Sequence, residues 1–493
     1  MGGASRVVMI GAGAGGLAAA MDLSARGLDV TVIERAQDVG GKMRQVEVDG
    51  VGVDAGPTVF TMHWIFEALF QRSGANFSAE LDLITAERLA RHGWRDGSRL
   101  DLWADIDRSV DAIGDFSDLS NAQGYRRFCD DSEAVFNTLK DTFINAQKPG
   151  PLGLGIRVGL HRIGRLWQTR PFQTYWSRLE RYFSDPRLRQ LFGRYSTYIG
   201  SSPFLSPATL MLIAHVEQDG VWLVEGGMRA VAQSMKRVAA RNGASVRLGT
   251  HVEQIHGENG QAKLVSLDTG EQIEADAIVF NGDASALARG LLGSEVGHVS
   301  RATAPQSRSL SALTWCAHAK TSGFELDYHT VFFSDAYKAE FETVFDTRQA
   351  PATPTIYICA QDRIGNQIPE ARERLLILIN APADGDRGFD ERANAAERYD
   401  AALSHLQTYG LDIDASAPSK LTGPHGFNAL FPGTGGALYG QANHGPFATF
   451  ERPGARSKIG NLYLAGGSTH PGAGVPMATL SGCLAAEALL ADC

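Results

Sequence analysis

Cysteine is scarce in this chain: five occur among 493 residues, at 129, 316, 359, 483 and 493. None forms a Cys-x-x-Cys or a Cys/His cluster at metal-ligand spacing, which argues against a disulfide framework and a metal site and fits a reducing cytoplasm. Positive charge is not in excess. Lys and Arg number 46 against 55 Asp and Glu, for a net charge of −9, and the pI near 5.8 argues against a general nucleic-acid binder. Long apolar runs are missing as well. With a mean hydropathy of −0.14 and no stretch near the roughly 18–20 apolar residues of a bilayer-spanning helix, no transmembrane helix is expected. Four glycines break the uncharged run 7–21, and Arg6 stands where a myristoylation motif wants Ser or Thr, so neither a signal peptide nor a lipid anchor is expected. The common catalytic signatures are absent too: there is no Ser nucleophile elbow, no His-Glu-x-x-His and no Walker A lysine.

What is present is apolar residue and glycine. At 44% hydrophobic and 20% charged, the chain can bury one large or two moderate cores, and disorder is excluded as its main state. The run Val7-Val-Met-Ile10 leads directly into Gly11-Ala-Gly13-Ala-Gly-Gly16, then into the helix-favouring Leu17–Leu23, with Gly27 as a C-cap, and into a second β-branched run, Asp29–Ile33. This is a βαβ unit with a dinucleotide fingerprint. Gly11 allows the tight turn, Gly13 the approach of a pyrophosphate and Gly16 close packing of helix on strand. Glu34 follows Gly16 by 18 residues, near the roughly 20-residue offset of a ribose-binding acid.

Three further segments bear on the cofactor. Gly40-Gly41 beside Lys42 and Arg44 lets the chain lie against phosphates while a cation neutralises them. Asp54-Ala-Gly56-Pro57-Thr58 makes a rigid turn that suits the edge of a flavin ring, although an ordinary β-turn satisfies the same spacing. Gly466–Met477 leads into a helix with Pro476 in its first turn, and the positive end of that helix suits the flavin edge where charge accumulates on hydride acceptance. Short strands are expected at 246–248, 251–255, 262–267 and 277–280, with Val252 added to the cofactor set, whereas residues 65–220 read as mostly helical.

The fingerprint, Glu34, Gly40-Gly41-Lys42, Val53–Thr58, Gly226-Gly-Met228 and Asn461–Pro476 together resemble the bacterial-type phytoene desaturase family across nearly the whole chain. Arg91–Leu102 and Asp185–Tyr195 are most similar to the branch that desaturates hydroxylated or methoxylated carotenoids at C3–C4. The resemblance implies an α/β fold: a Rossmann-like FAD-binding domain of the glutathione-reductase/amine-oxidase type, built from residues 1–70, 225–295 and 455–493. A helical and mixed lobe of residues 71–224 and 296–454 would bind substrate and dock on the membrane. It further implies non-covalent FAD held by Gly11, Gly13, Gly16, Glu34, Gly41, Lys42, Arg44, Gly56, Pro57, Thr58, Val252, Gly466, Pro476 and Met477. Lys42 departs from the Arg of many relatives, keeping the charge without the bidentate fork. The expected setting is cytoplasmic, peripheral to the cytoplasmic membrane, with a quinone or oxygen as electron acceptor. A phytoene-type desaturase, a flavin carotenoid isomerase and a flavin-free prenyl-binding protein on the same fold remain alternatives.

The substrate side is readable separately. Residues 151–200 hold nine Arg and no Lys against Glu180 and Asp185, and Ile156, Leu160, Ile163, Leu166 and Trp167 share one helical face with Arg157, His161, Arg162 and Arg165 around it. That composition suits docking on anionic lipid, as it would suit a solvated basic face. His215, Glu217, Glu225, Arg194 and Tyr195 are read as structural, and no catalytic residue is assigned. A polyene carries no charge, so an apolar tunnel in the helical lobe is expected, with a polar group at its far end for a substrate hydroxyl.

Overall fold

The run Arg6–Ile10 becomes the central strand of a five-stranded sheet in the computed structural model, which describes residues 6–159, 164, 169–389, 391–393 and 395–493. Asp29–Ile33 and Ala277–Phe280 flank it, Ser245–Arg247 and Leu462–Leu464 form the edges, and every pairing is parallel. A parallel sheet covered on both faces needs continuous apolar strands, and Val7, Val8, Met9, Val30, Val32, Ile278 and Val279 are all buried. Three distant stretches of the chain therefore meet in one sheet.

The helix Ala14–Ala25 follows the glycine turn and ends before Gly27, whose φ is +82°. It crosses the final helix, Val475–Asp492, so closely that a Cβ on Gly482 would lie 2.0 Å from the Gly15 carbonyl oxygen. By length and composition that final helix could cross a membrane, but Gly482 through Ala486 are buried within the protein, so it packs as a core helix. Beside the parallel sheet, Val252–Glu258, Gln261–Leu267 and Gln272–Glu274 form a three-stranded antiparallel sheet. Its first turn is Asn259-Gly260, with φ of 52° and 76°, the conformation an Asn-Gly hairpin favours.

A seven-stranded sheet forms the second layer, in the order Ser419–Thr422, Ser311–Ala319, Glu373–Ala381, Ile356–Ala360, His329–Phe332, Arg88–Gly93, Arg99–Trp103. Residues 65–220 are mostly helical, as expected, but two strands of this sheet, Arg88–Gly93 and Arg99–Trp103, form a hairpin within them that the sequence did not show. Charged residues hid that hairpin from a hydrophobic pattern: Arg91 Nε donates to Asp101 Oδ1 at 2.8 Å across the two strands, and both side chains are largely buried. Helix Ile106–Phe116 packs on the edge strand Arg99–Trp103, and a helical layer that includes Leu119–Leu139, Pro186–Gly193 and Leu212–Asp219 lies beyond it. Asp118 and Asp185 cap Leu119–Leu139 and Pro186–Gly193, accepting from the Asn121 and Arg187 amides, each at 2.8 Å. Helix Pro151–Val158 stops at Gly159. Leu160, His161, Arg162, Ile163, Arg165, Leu166 and Trp167 of the basic amphipathic segment lie outside the described residues.

Two glycines separate packing from propensity. Gly482→Val is expected to destabilise the fold by roughly 1–3 kcal/mol, because the new side chain meets backbone that cannot yield. Gly155→Ala, inside a helix with open space around it, should instead stabilise by about 0.5–1 kcal/mol. Urea denaturation midpoints of the two variants check both signs.

Candidate functional site

The glycine turn is defined by contact. A Cβ on Gly16 would fall 2.1 Å from the Gly11 carbonyl oxygen, and one on Gly41 would fall 3.2 Å from Gly13 Cα. Gly40-Gly41 therefore lies flat on the turn, and the Gly40 amide donates to the Ala12 oxygen at 2.8 Å. The helix that follows has neither a side-chain cap nor an acidic residue in its first turn, which leaves its amides to an anion. Asn281, not identified from sequence, buttresses the turn by donating from Nδ2 to the Gly11 oxygen at 3.2 Å. Gly466 packs on the same asparagine, where a Cβ would lie 2.8 Å from its Oδ1.

Glu34 stands where the spacing put it. Its Oε2 accepts from the Ala12 amide at 2.7 Å and its Oε1 from the Ala36 amide at 2.8 Å, and each oxygen keeps a further lone pair for a ribose hydroxyl. The Thr250 amide donates to the Glu34 carbonyl oxygen at 3.0 Å, bringing the chain before Val252 alongside. Val252 itself is buried with Val8, Ile10 and Ile33.

The two cations after Gly41 diverge. Lys42 is tied by its Nζ to the Leu438 carbonyl oxygen and lies over Phe431, and burial lowers its pKa. Arg44 instead reaches the second layer, donating to Thr422 Oγ1 at 3.2 Å and lying over Phe427. Arg452, unmarked by any sequence motif, is buried with Nη1 donating to the Gly467 oxygen at 2.8 Å and Nε without a partner. Burial brings its pKa down to about 10. Among the described residues neither Lys42 nor Arg452 forms a salt bridge, and Asp283 is the carboxylate whose charge acts on both. Two cations without a salt bridge among the described residues, Arg452 buried and Lys42 partly buried, fit a pyrophosphate against glycine-rich backbone.

At the other end, Gly56-Pro57-Thr58 and Gly472–Met477 line one cavity of about 620 Å³. Gly56 passes so close to Lys42 that a Cβ would lie 1.8 Å from the Lys42 oxygen. Pro476 sits in the first turn of the final helix, which begins with no side-chain cap and no acid. Leu139, Phe143, Leu154, Leu210, Ile213 and Val216 form one wall of the cavity, and Val331, Tyr357, Leu376 and Leu378 form the other. The expectation of a tunnel within the helical lobe is thus corrected: helices make one wall and the seven-stranded sheet makes the floor.

Polar groups are few and grouped. Tyr198 OH donates to Glu217 Oε1 at 2.6 Å, Tyr195 OH donates to Glu217 Oε2, and Arg194 Nη1 donates to Tyr198 OH at 2.7 Å. Three of the residues read as structural, Arg194, Tyr195 and Glu217, are thus brought together, while the His215 ring packs at a tilt against Phe136 and Glu225 is exposed. Nearer the Gly56–Thr58 turn, Tyr357 OH lies 2.7 Å from both Thr58 Oγ1 and His329 Nδ1. Burial first, and the Arg194 charge second, push the His329 pKa down to about 3, so its imidazole is neutral. Among the described residues no group of His, Cys, Asp and Glu could hold a metal ion.

Comparison with known proteins identifies the family. A model of the flavin containing amine oxidoreductases matches residues 14–490. The chain is 49% identical to a hydroxyneurosporene desaturase of Rubrivivax gelatinosus, covering 99% of this chain and 93% of that protein. It is 30% identical to a 1-hydroxycarotenoid 3,4-desaturase of a Flavobacterium species, covering 98% of each. A putrescine oxidase variant shares the fold with a TM-score of 0.63 at 15% identity, covering 99% of each chain.

Glu34→Ala removes the acceptor for two backbone amides and, on the expected role of Glu34, for the ribose. Flavin retained through gel filtration, read by its visible absorbance, should fall by an affinity loss on the order of 3 kcal/mol; unchanged retention would remove Glu34 from the site.

Proposed function

The chain belongs to the flavin containing amine oxidoreductase family, and we propose that it is an FAD-dependent desaturase forming the C3–C4 double bond of a 1-hydroxylated or methoxylated acyclic carotenoid. One observation carries the reading: the Gly56–Thr58 turn and the start of the final helix line the same mostly apolar cavity. The names of the relatives favour this branch over a phytoene-type desaturase or an isomerase. Glu34 and the uncompensated Lys42 and Arg452 favour a flavin-binding protein over a flavin-free carrier.

Bound non-covalently, FAD supplies the two-electron oxidant for hydride removal. The chain supplies position. Gly11, Gly13 and Gly16 admit the pyrophosphate to the helix N-terminus, Lys42 and Arg452 balance its charge, and Glu34 with Val252 holds the adenosine end. Gly41 and Gly466 keep the backbone low beneath the cofactor, Arg44 ties that segment to the second layer, and Gly56, Pro57, Thr58, Pro476 and Met477 bracket the ring. Apolar walls exclude water and align the polyene. A quinone or oxygen is the terminal electron acceptor.

The substrate arrives from a membrane surface. Pro151, Leu154, Phe172 and Phe447 line the cavity, and around them Leu152, Ile156, Phe172 and Phe447 expose 86%, 79%, 66% and 53% of their surface. Exposed apolar side chains grouped at a cavity mouth suit peripheral membrane docking.

Two experiments follow. Holoenzyme given a 1-hydroxylated acyclic carotenoid in vesicles should shift the polyene bands to longer wavelength by one added conjugated double bond, with much slower turnover of the unhydroxylated analogue. Conversion of phytoene alone would overturn the branch. In flotation with anionic vesicles, Leu152→Asp with Ile156→Asp should weaken binding by about 3 kcal/mol or more while flavin content stays normal; identical flotation would refute docking at this mouth.

A further inference from the structure

In a 3,4-desaturation the 1-hydroxyl oxygen is three bonds from C3, hence within about 4 Å of it. Whatever reads that hydroxyl must stand beside the reacting bond, at the ring end of the cavity. His329 is placed there. In strand register it faces Cys359, and Cys359 packs with Val53, just before the turn that ends in Thr58.

The imidazole lines the cavity and is 5% exposed. Its Nδ1 is tethered to Tyr357 OH at 2.7 Å, and Tyr357 OH in turn lies 2.7 Å from Thr58 Oγ1. Its Nε2 is buried without any partner. A buried nitrogen left open at a cavity wall is a group that a ligand completes. Asn380, a further polar residue on the floor, has its amide nitrogen engaged by Glu340 at 2.8 Å.

Resting on the reading of the chain as a hydroxycarotenoid desaturase, we propose that His329 is the specificity-determining residue that hydrogen-bonds the substrate's 1-hydroxyl and holds C3–C4 at the ring. The Thr58–Tyr357–His329 chain runs in either direction. When Tyr357 donates to Thr58, Nδ1–H donates to Tyr357 and Nε2 accepts from the hydroxyl. When Tyr357 donates to Nδ1, Nε2–H donates to the substrate oxygen, which a methoxy group also accepts. A hydroxyl satisfies both arrangements, whereas a hydrocarbon end satisfies neither.

The test compares kcat/KM of the holoenzyme on a 1-hydroxylated carotenoid and on its unhydroxylated analogue, with flavin absorbance as the folding control. His329→Phe should lower the value for the hydroxylated substrate roughly tenfold to a hundredfold and leave the analogue nearly unchanged, collapsing the ratio. His329→Gln, whose amide can approach the place of Nε2, should restore part of it. Tyr357→Phe, which cuts the tether but keeps the imidazole, should lower the ratio by a smaller factor. An equal fall on both substrates in His329→Gln and Tyr357→Phe, with flavin retained, overturns the assignment of His329. A parent enzyme with no preference for the hydroxylated substrate overturns the functional reading itself, before any variant is compared.

Discussion

Backbone meeting backbone around residues 11–16 is the constraint on which the remaining structure depends. The Gly11 oxygen stands where a Gly16 Cβ would be, Gly41 lies on Gly13, and the Gly15 oxygen stands where a Gly482 Cβ would be. Residues 41 and 482 thus converge within contact distance of one turn, and Asn281 joins that turn to Gly466 through its side chain. Such approach leaves no room for side chains, so the surface it creates is made of amides and carbonyls. A cofactor that meets this surface is recognised by the main chain, and the side chains of the segments remain free to define the ring end.

Charge follows from that geometry. Lys42, partly, and Arg452, almost wholly, are withdrawn from water and held by carbonyl oxygens, without a carboxylate in either first contact among the described residues. Carbonyl dipoles offset only part of the desolvation of a buried cation. On the proposed reading an anion seated on the glycine turn supplies the remainder, which would link binding of a pyrophosphate to stability of the fold, with a stabilisation that grows with ligand concentration relative to its dissociation constant.

Local signals were legible in the sequence, and distant ones were not. The first strand, the turn, the first helix and Glu34 occupy consecutive positions and share one spacing, and the strands near 245–280 were read to within a few residues from their turns. The hairpin Arg88–Trp103 was hidden because its cross-strand contacts are an ion pair in place of an apolar alternation. Arg452 and Asn281 acquire meaning only from residues that the fold brings to them, and so does His329, whose partners are 28 residues away at Tyr357 and, through it, at Thr58. The cavity floor was equally invisible, since its strands come from separate parts of the chain and pair in an order no linear pattern encodes.

An apolar cavity opening among exposed apolar side chains changes what binding energy can accomplish. A polyene leaving lipid for such a cavity exchanges one apolar environment for another, so the hydrophobic effect that drives association from water contributes little. Shape still restricts the conformations the chain can adopt, but it slides a uniform polyene past the ring with little preference among positions. Register along the chain must then come from the few polar groups on the wall, where an unmet donor or acceptor is unfavourable in a low-dielectric interior. In this molecule those groups include Thr58, Tyr357 and His329 beside the Gly56–Thr58 turn and the Arg194–Tyr198–Glu217 cluster. On the role proposed for His329, the position of a single substrate oxygen against such groups selects one carbon–carbon bond among many similar ones.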